Sequence, residues 1–344
     1  MKKEKQSIYD IDAAELKDRC KELGMPGYIA DQVLDWLYKK HQLQLDKMKN
    51  IAKKNQEILA KNFDFNLFKS VNTITSSEEN AIKNSCVLED GNFLECVILK
   101  EKNYNTLCVS SQCGCPVDCK FCLTGVVGFK RQLTTAEIVK QIVYAFSMNQ
   151  PITNIVFMGM GEPLLNAKPV FKAIDMLTHP KLYNISNRHI TVSTSGFVKG
   201  IEYLMKNNRV VNLAFSVGSA DPIKRERLMP VEKRNPIIEF AKILKEYQSQ
   251  HNRKLTLEYT LLAGVNDTDY DIKCLINLAK YLNAKINLIN LNPHKKIPYK
   301  PVSITRIHAI QKTIKKQQCA VTIRYKKGQD ITAACGQLGE SYLT

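Results

Sequence analysis

Cys115, Cys119 and Cys122 stand in a C-x3-C-x2-C spacing, with Phe121 just before the last of them. They close the stretch CVSSQCGCPVDCKFC (108–122), which holds five of the chain's eleven cysteines. Three thiolates on one short loop can each ligate one iron of a four-iron cluster, leaving the fourth iron open to chelate and reduce a small molecule. A fully ligated electron-transfer cluster would need a fourth ligand nearby, and a structural zinc site would show two separated cysteine pairs or a Cys/His mixture. Neither zinc nor chance crowding of buried thiols explains the Gly-rich, basic exit at Gly125, Gly128, Lys130 and Arg131 that leads into a helix.

Other reactive residue types recur behind short apolar runs. In Gly159-Met160-Gly161-Glu162-Pro163 the glycines allow close backbone approach to a ligand, and Glu162 can accept bonds from an ammonium group. Ser193-Thr194-Ser195-Gly196 offers small hydroxyls suited to a carboxylate or ribose, and Ser216 and Asn292 follow later runs. Each alone is an ordinary turn residue; their repeated placement on one rim is the signal. Glu95 interrupts an apolar strand, where a carboxylate must face water or have a specific partner, and the residues alone favour water. Cys335 lies in a small-residue turn near the end of the chain. A flexible tail can carry such a thiol to a substrate, although the residues alone favour an ordinary thiol.

The elements that must position these groups are an α/β set. Apolar β-branched runs predict strands at 105–110, 153–158, 189–193, 210–216, 255–261 and 285–291. Helices are expected near 135–148, 167–177, 198–206, 235–249, 270–281 and 303–317. Six such units predict an incomplete (β/α)6 barrel over 104–318, with functional loops at the carboxyl ends of the strands. Residues 1–67 read as a small helical domain: Asp12 is an N-cap with Glu15 three residues on, Gly24 and Pro26 break the pattern, and Trp36 falls on a core-facing stripe. Residues 68–103 read as a hairpin connector turning at Glu89-Asp90-Gly91, and 319–344 as a short carboxy-terminal extension with a strand near 319–324 and the Cys335 tail.

Fifty Lys and Arg against 33 Asp and Glu give a net charge of +17, which suits a polyanionic partner. Lys39, Lys40, Lys47, Lys49, Lys53 and Lys54 form either a solvated face or phosphate contacts, and Lys295, Lys296, Lys300, Arg324, Lys326 and Lys327 could receive a phosphate backbone. No run approaches the roughly 18 apolar residues needed to span a bilayer, and MKKEKQSIYD lacks an apolar leader core. Thiols gathered at one site fit a reducing compartment, so a cytoplasmic protein without membrane attachment is expected.

Taken together, CVSSQCGCPVDCKFCLTG, FMGMGEPLLN, VSTSG, LNPH and DITAACGQL resemble the RlmN/Cfr family of radical S-adenosylmethionine (SAM) RNA adenine methyltransferases over nearly the whole chain. Pro163 and Leu164 to Asn166 match the GEPLLN pattern of the RlmN branch. The resemblance implies a radical-SAM partial barrel with a helical RNA-binding domain before it. The implied reaction is methylation at C2 of an adenosine in 23S ribosomal RNA before full ribosome assembly, with the adenosine 3′ of some transfer-RNA anticodons as a second substrate. It implies one [4Fe-4S] cluster on Cys115, Cys119 and Cys122, two SAM per turnover, an electron donor such as flavodoxin, and a monomeric enzyme. Gly161, Glu162, Ser193, Ser216, Val217, Gly218 and Asn292 would contact SAM. Cys335 would carry the transferable methyl, Cys108 would resolve the intermediate, and Glu95 would lie beside the reacting base.

Adenine C2 is electron-poor and has no nucleophilic lone pair, so direct transfer from SAM is unfavourable. On the family pattern one SAM methylates Cys335, radical chemistry from the other activates that methyl for addition to C2, and Cys108 releases the product by forming a disulfide with Cys335. Two features depart from the pattern: Ser216-Val217-Gly218 stands where the family reads Ser-Leu-His, and Cys113 is reminiscent of members that methylate C8. The alternatives are therefore a C8 methyltransferase or divergent paralogue, and a non-enzymatic iron-sulfur RNA-binding protein. The last would not need the rim residues together with Cys335 and Cys108.

Overall fold

A β-branched run followed by an amphipathic helix returns the next strand parallel to the last, and from residue 105 the chain repeats that step. In a computed structural model, which describes residues 5–343 apart from 79, 252, 254 and 326, ten strands form one sheet. They are β1 (Ser70–Thr75), β2 (Ala81–Val87), β3 (Phe93–Lys100), β4 (Asn105–Cys108), β5 (Ile152–Phe157), β6 (Ile190–Thr194), β7 (Asn212–Ser216), β8 (Thr256–Leu261), β9 (Lys285–Asn290) and β10 (Val321–Arg324). They lie side by side in chain order, and β4 to β10 run parallel.

The helices are α1 (Ala13–Glu22), α2 (Tyr28–Leu34), α3 (Lys53–Asn62), α4 (Leu123–Val127), α5 (Thr135–Ser147), α6 (Ala167–Thr178), α7 (Val198–Lys206), α8 (Pro222–Leu228), α9 (Ile237–His251), α10 (Asp269–Tyr281) and α11 (Ile304–Lys316). Capping boxes, Thr134 with Glu137 and Thr268 with Asp271, start α5 and α10 by satisfying exposed N–H groups reciprocally.

All six expected strand–helix units are present. The strand near 319–324 is not merely an extension: β10 pairs parallel with β9 from Ile286↔Val321 to Ile289↔Arg324 and adds a seventh strand to the barrel. The hairpin at 81–100 forms in register around the expected turn, and β3 also pairs antiparallel with β4, so the connector continues the barrel sheet.

In the amino-terminal part, the Asp12 carboxylate accepts the Ala14 and Glu15 N–H groups at 2.9 and 2.8 Å, the expected cap. Trp36 is half-buried against the core, with Lys40 above its ring. Lys40 also pairs with Asp35, so it belongs to the helix surface. Tyr38 and His41 pack on Tyr183 and Phe146, and Lys172–Asp10 and Lys181–Asp31 pairs bind these helices to the barrel. Among the described residues no helix is long and apolar enough to cross a membrane.

Candidate active site

The chain leaves β4 at Cys108 and loops over the carboxyl rim of the barrel before α4. This loop is tied down at close range: the Cys115 N–H donates to the Gly128 carbonyl at 3.2 Å and the Cys122 N–H to the Cys119 carbonyl at 3.0 Å. Gly114, at φ +72°, lies so near Gly128 that a Cβ would collide with its carbonyl oxygen, so only glycine fits this crossing. Cys115, Cys119 and Cys122 line one cavity of about 170 Å³, shared with Gly161, Glu162, Ser193, Ser216, Gly218, Asn292 and Cys335. Of the residues expected to contact SAM, Val217 alone does not line it. Val217 is buried in the wall, its N–H donating to the Glu258 carbonyl and its carbonyl accepting from Arg225 Nε, both at 3.0 Å.

The donor set fits an iron-sulfur cluster. Burial pushes the Cys115 and Cys119 thiols well up, and the charge of Cys122 adds to both shifts; a cationic iron centre is what would hold these two as thiolates. Among the described residues no three His, Cys, Asp or Glu side chains converge tightly enough for a single metal ion. A cubane asks for a wider spacing, one thiolate per iron.

The rim also fits SAM. Gly161, at φ +100°, brings the backbone against Gln112, where a Cβ would lie 2.6 Å from the Gln112 Cβ. The Gln112 side chain accepts the Glu162 N–H at 2.7 Å. Glu162 is buried and accepts from the Ser195 N–H and Oγ at 2.7 and 2.6 Å and from the Leu164 N–H at 3.2 Å. Burial still raises its pKa against those bonds, the state of a carboxylate short of a cation that an ammonium group would complete. Asn292 donates to the Cys335 carbonyl at 2.9 Å, while its own Oδ1 is buried without a partner among the described residues and can accept from a ligand. Ser193 and Ser216 hydroxyls lie 3.4 Å apart on neighbouring strands.

A second cavity, of about 520 Å³, adjoins the first at Cys335 and is lined by Cys108, Cys122, Met158, Asn292 and Arg324. Cys108 is pushed up to about 12, by burial first and then by the charge of Cys335, against the opposing charge of Arg324. The two distant thiols therefore share one site, and both are free. The tail reaches it through backbone bonds to the cluster loop: the Leu123 N–H donates to the Gly336 carbonyl at 2.8 Å, and Thr124 Oγ1 to the Leu338 carbonyl at 2.7 Å.

Glu95 does not face water. Its side chain is 0% exposed and accepts the Gly339 N–H at 2.8 Å and Ser341 Oγ at 2.6 Å, with longer bonds at 3.4 Å from the Ser341 N–H and Ser85 Oγ. The specific partner that its strand position demanded is the carboxy-terminal tail. Of the cations expected to receive a phosphate backbone, Lys327 is taken by a carboxylate, pairing with Glu101 at 2.6 Å. Arg324 lines both cavities that Cys335 lines, near Glu258; Lys326 lies outside the described residues.

Three positioning residues escaped the sequence reading. Gln112 sits two residues past the expected strand, with nothing local to mark it. Arg225, fully buried, pairs with Glu232 and bonds the Ser195 and Val217 carbonyls, tying two rim loops together. Met229 fills the space over Gly218, where any Cβ would strike its sulfur. Gly218 also sits at φ +67°, a left-handed backbone that disfavours a histidine there. Cys113 is buried in a short pairing with Arg131 and lines neither cavity.

Comparison with known proteins agrees with this geometry. The model of the radical SAM superfamily matches residues 109–272, and that of the ribosomal RNA large subunit methyltransferase N-terminal domain matches 6–64. A probable dual-specificity RNA methyltransferase RlmN of Aquifex aeolicus is 40% identical, over 94% of this chain and 94% of its own. The chain belongs to the RlmN family. A dual-specificity RNA methyltransferase RlmN of Desulfotalea psychrophila is 36% identical, over 99% of this chain and 97% of its own. The crystal structure of a radical SAM methyltransferase from Sphaerobacter thermophilus superposes with a TM-score of 0.93 at 35% identity, covering 96% of this chain and 98% of that one. RlmN family membership makes the chain a radical-SAM enzyme, and places both its amino-terminal helices and its partial barrel within one known architecture.

Proposed function

We propose that this protein methylates C2 of an adenosine in 23S ribosomal RNA, acting before full ribosome assembly, and the adenosine 3′ of the anticodon in transfer RNA. The observation that carries the reading is Cys335: a thiol on the carboxy-terminal tail lines both the cluster-loop cavity and the cavity that Cys108 lines. A non-enzymatic RNA-binding protein has no use for that juxtaposition.

Cys115, Cys119 and Cys122 hold the [4Fe-4S] cluster, while Gly161, Glu162, Ser193, Ser216, Gly218 and Asn292 surround SAM, with Val217 behind them. Reduced by a donor such as flavodoxin, the cluster and its SAM supply one-electron chemistry able to take hydrogen from an S-methyl group. The chain supplies the rest. Cys335 Sγ accepts a methyl group by displacement from a first SAM, so two SAM are used per turnover. Asn292 holds the Cys335 carbonyl and so fixes the loaded residue where it lines both cavities. Once that carbon is bonded to adenine C2, the adduct is a radical and must lose one electron and the C2 proton to restore the ring: the electron would return to the oxidised one-electron centre that started the turnover, and Glu95 or Cys108 accepts the proton. Glu95 reaches the base when residues 339–341, which occupy its oxygens here, give way. Cys108 Sγ then attacks Cys335 Sγ. The carbon–sulfur bond breaks, its electron pair stays with carbon and takes a proton to complete the methyl, and the Cys108–Cys335 disulfide awaits a dithiol reductant.

Anaerobic reconstitution with ribosomal and transfer RNA, followed by nucleoside mass spectrometry, tests this. C2-methyladenosine is expected. C8-methyladenosine would move the protein to the alternative regiochemistry, and no product would favour a binding role.

A further inference from the structure

A third concavity opens beside the loops that carry Glu162 and Ser195. Leu164, Phe197, Gly200 and Tyr203 form its apolar floor, Lys168, Lys199 and Arg234 stand around it, and it measures about 630 Å³. Its shape is built. Gly200 has no room for a side chain, since a Cβ there would lie 2.5 Å from the Leu164 Cβ. Tyr203 packs on Phe171 at 6.1 Å between ring centroids, and Asn235 Oδ1 accepts the Val198 N–H at 3.1 Å, fixing the Arg234 turn beside α7.

The charges are unanswered. Lys172 and Lys181 nearby in sequence are paired with carboxylates, whereas Lys168, Lys199 and Arg234 are exposed and have no ion pair or side-chain hydrogen bond among the described residues. Three like charges around one apolar hollow repel each other until an anion enters. The groove also backs directly onto the catalytic loops: Phe197 packs on the same apolar cluster as Phe121, Cys115 and Cys119, and the Leu164 N–H donates to Glu162.

We propose that this groove holds an unpaired stretch of substrate RNA flanking the target adenosine, with phosphates on Lys168, Lys199 and Arg234 and a base against Phe197 and Tyr203. The proposal rests on the reading of the chain as an RNA methyltransferase. A cationic groove with an aromatic floor is the physical form of single-strand recognition, in which the backbone is tracked by charge and bases stack without sequence preference. A duplex offers no free base face to such a floor. An acidic redox protein would meet the cations but would leave the concave apolar floor unfilled.

The test compares the cluster-loaded wild type with a Lys168→Ala/Lys199→Ala/Arg234→Ala variant and with Tyr203→Ala. The probe is an RNA stem-loop carrying an unpaired adenosine; affinity is measured across a salt series, with SAM affinity and reduction by flavodoxin measured in parallel. For a single strand, each phosphate left without its cation lowers the slope of log K against log salt by about 0.7, so the triple variant should show a slope smaller by about 2. At low salt it should bind at least tenfold more weakly, while Tyr203→Ala weakens binding with the slope kept. SAM affinity should not change in either variant. Unchanged RNA affinity and slope in the triple variant would overturn the groove assignment, as would slower reduction by flavodoxin with RNA binding intact, which would mark a protein dock. A wild type that binds no RNA would instead overturn the functional reading, and this inference with it.

Discussion

Removing the Glu95 carboxylate should loosen the tail that carries Cys335. Glu95 accepts two short hydrogen bonds from the tail, from the Gly339 N–H at 2.8 Å and from Ser341 Oγ at 2.6 Å, in a fully buried setting. Hydrogen bonds to a charged group contribute about 1.5–3 kcal/mol each, so Glu95→Ala removes about 3–6 kcal/mol of tail docking. That corresponds to an opening equilibrium raised by roughly two to four decades. The bonds to Leu123, Thr124 and Phe93 keep part of the tail in place, which makes the lower end of the range the expectation. Glu95→Gln retains one acceptor oxygen and should fall between wild type and Glu95→Ala. Amide hydrogen exchange resolved over residues 336–343 reads the opening directly, with exchange elsewhere serving as the control. Protection of this segment unchanged in Glu95→Ala, with the rest of the fold intact, would refute the latch.

Other consequences follow from the same geometry. Cys108→Ala should accumulate protein covalently linked to RNA, because nothing then breaks the carbon–sulfur bond; intact-mass analysis showing only free RNA would remove Cys108 from that role. With its pKa pushed up to about 12, Cys108 is almost wholly a neutral thiol at pH 7. The rate of adduct release in single turnover should therefore rise about tenfold per pH unit from 7 to 9, and a flat profile would mean that another step or group governs release. The sign for stability is opposite: an unfolded thiol ionises near 8.5 and the folded one near 12, so the contribution of this group to stability is lost as pH climbs through that window. Glu232→Gln leaves the Arg225 guanidinium buried without its counter-charge and should destabilise the fold by about 3–5 kcal/mol in denaturant unfolding.

What the sequence revealed and what it hid divide by range of interaction. The strand–helix alternation, the Asp12 cap and the Glu89-Asp90-Gly91 turn are set by residues a few positions apart, and all appear as read. The cysteine spacing and the rim residues were legible because a parallel barrel delivers every β/α loop to one face. Glu95 was misjudged from its strand because its partners, Gly339 and Ser341, lie at the other end of the chain. Arg225 carries no local mark in the sequence, and only the fold turns it inward onto Glu232. Gly218 departs from the family pattern, and the Met229 side chain that covers it lies eleven residues on, beyond any local pattern. The resemblance to a family supplied the Cys335–Cys108 pairing, which no local pattern encodes.

The central claim is that the methyl carbon passes through Cys335, and the fate of that carbon in the Cys335→Ala variant tests it most directly. With isotopically labelled SAM and reconstituted cluster, wild type should place the label in C2-methyladenosine. Cys335→Ala should retain the cluster absorbance, carry no label on protein, and yield no methylated adenosine. Full RNA methylation by that variant would contradict the account.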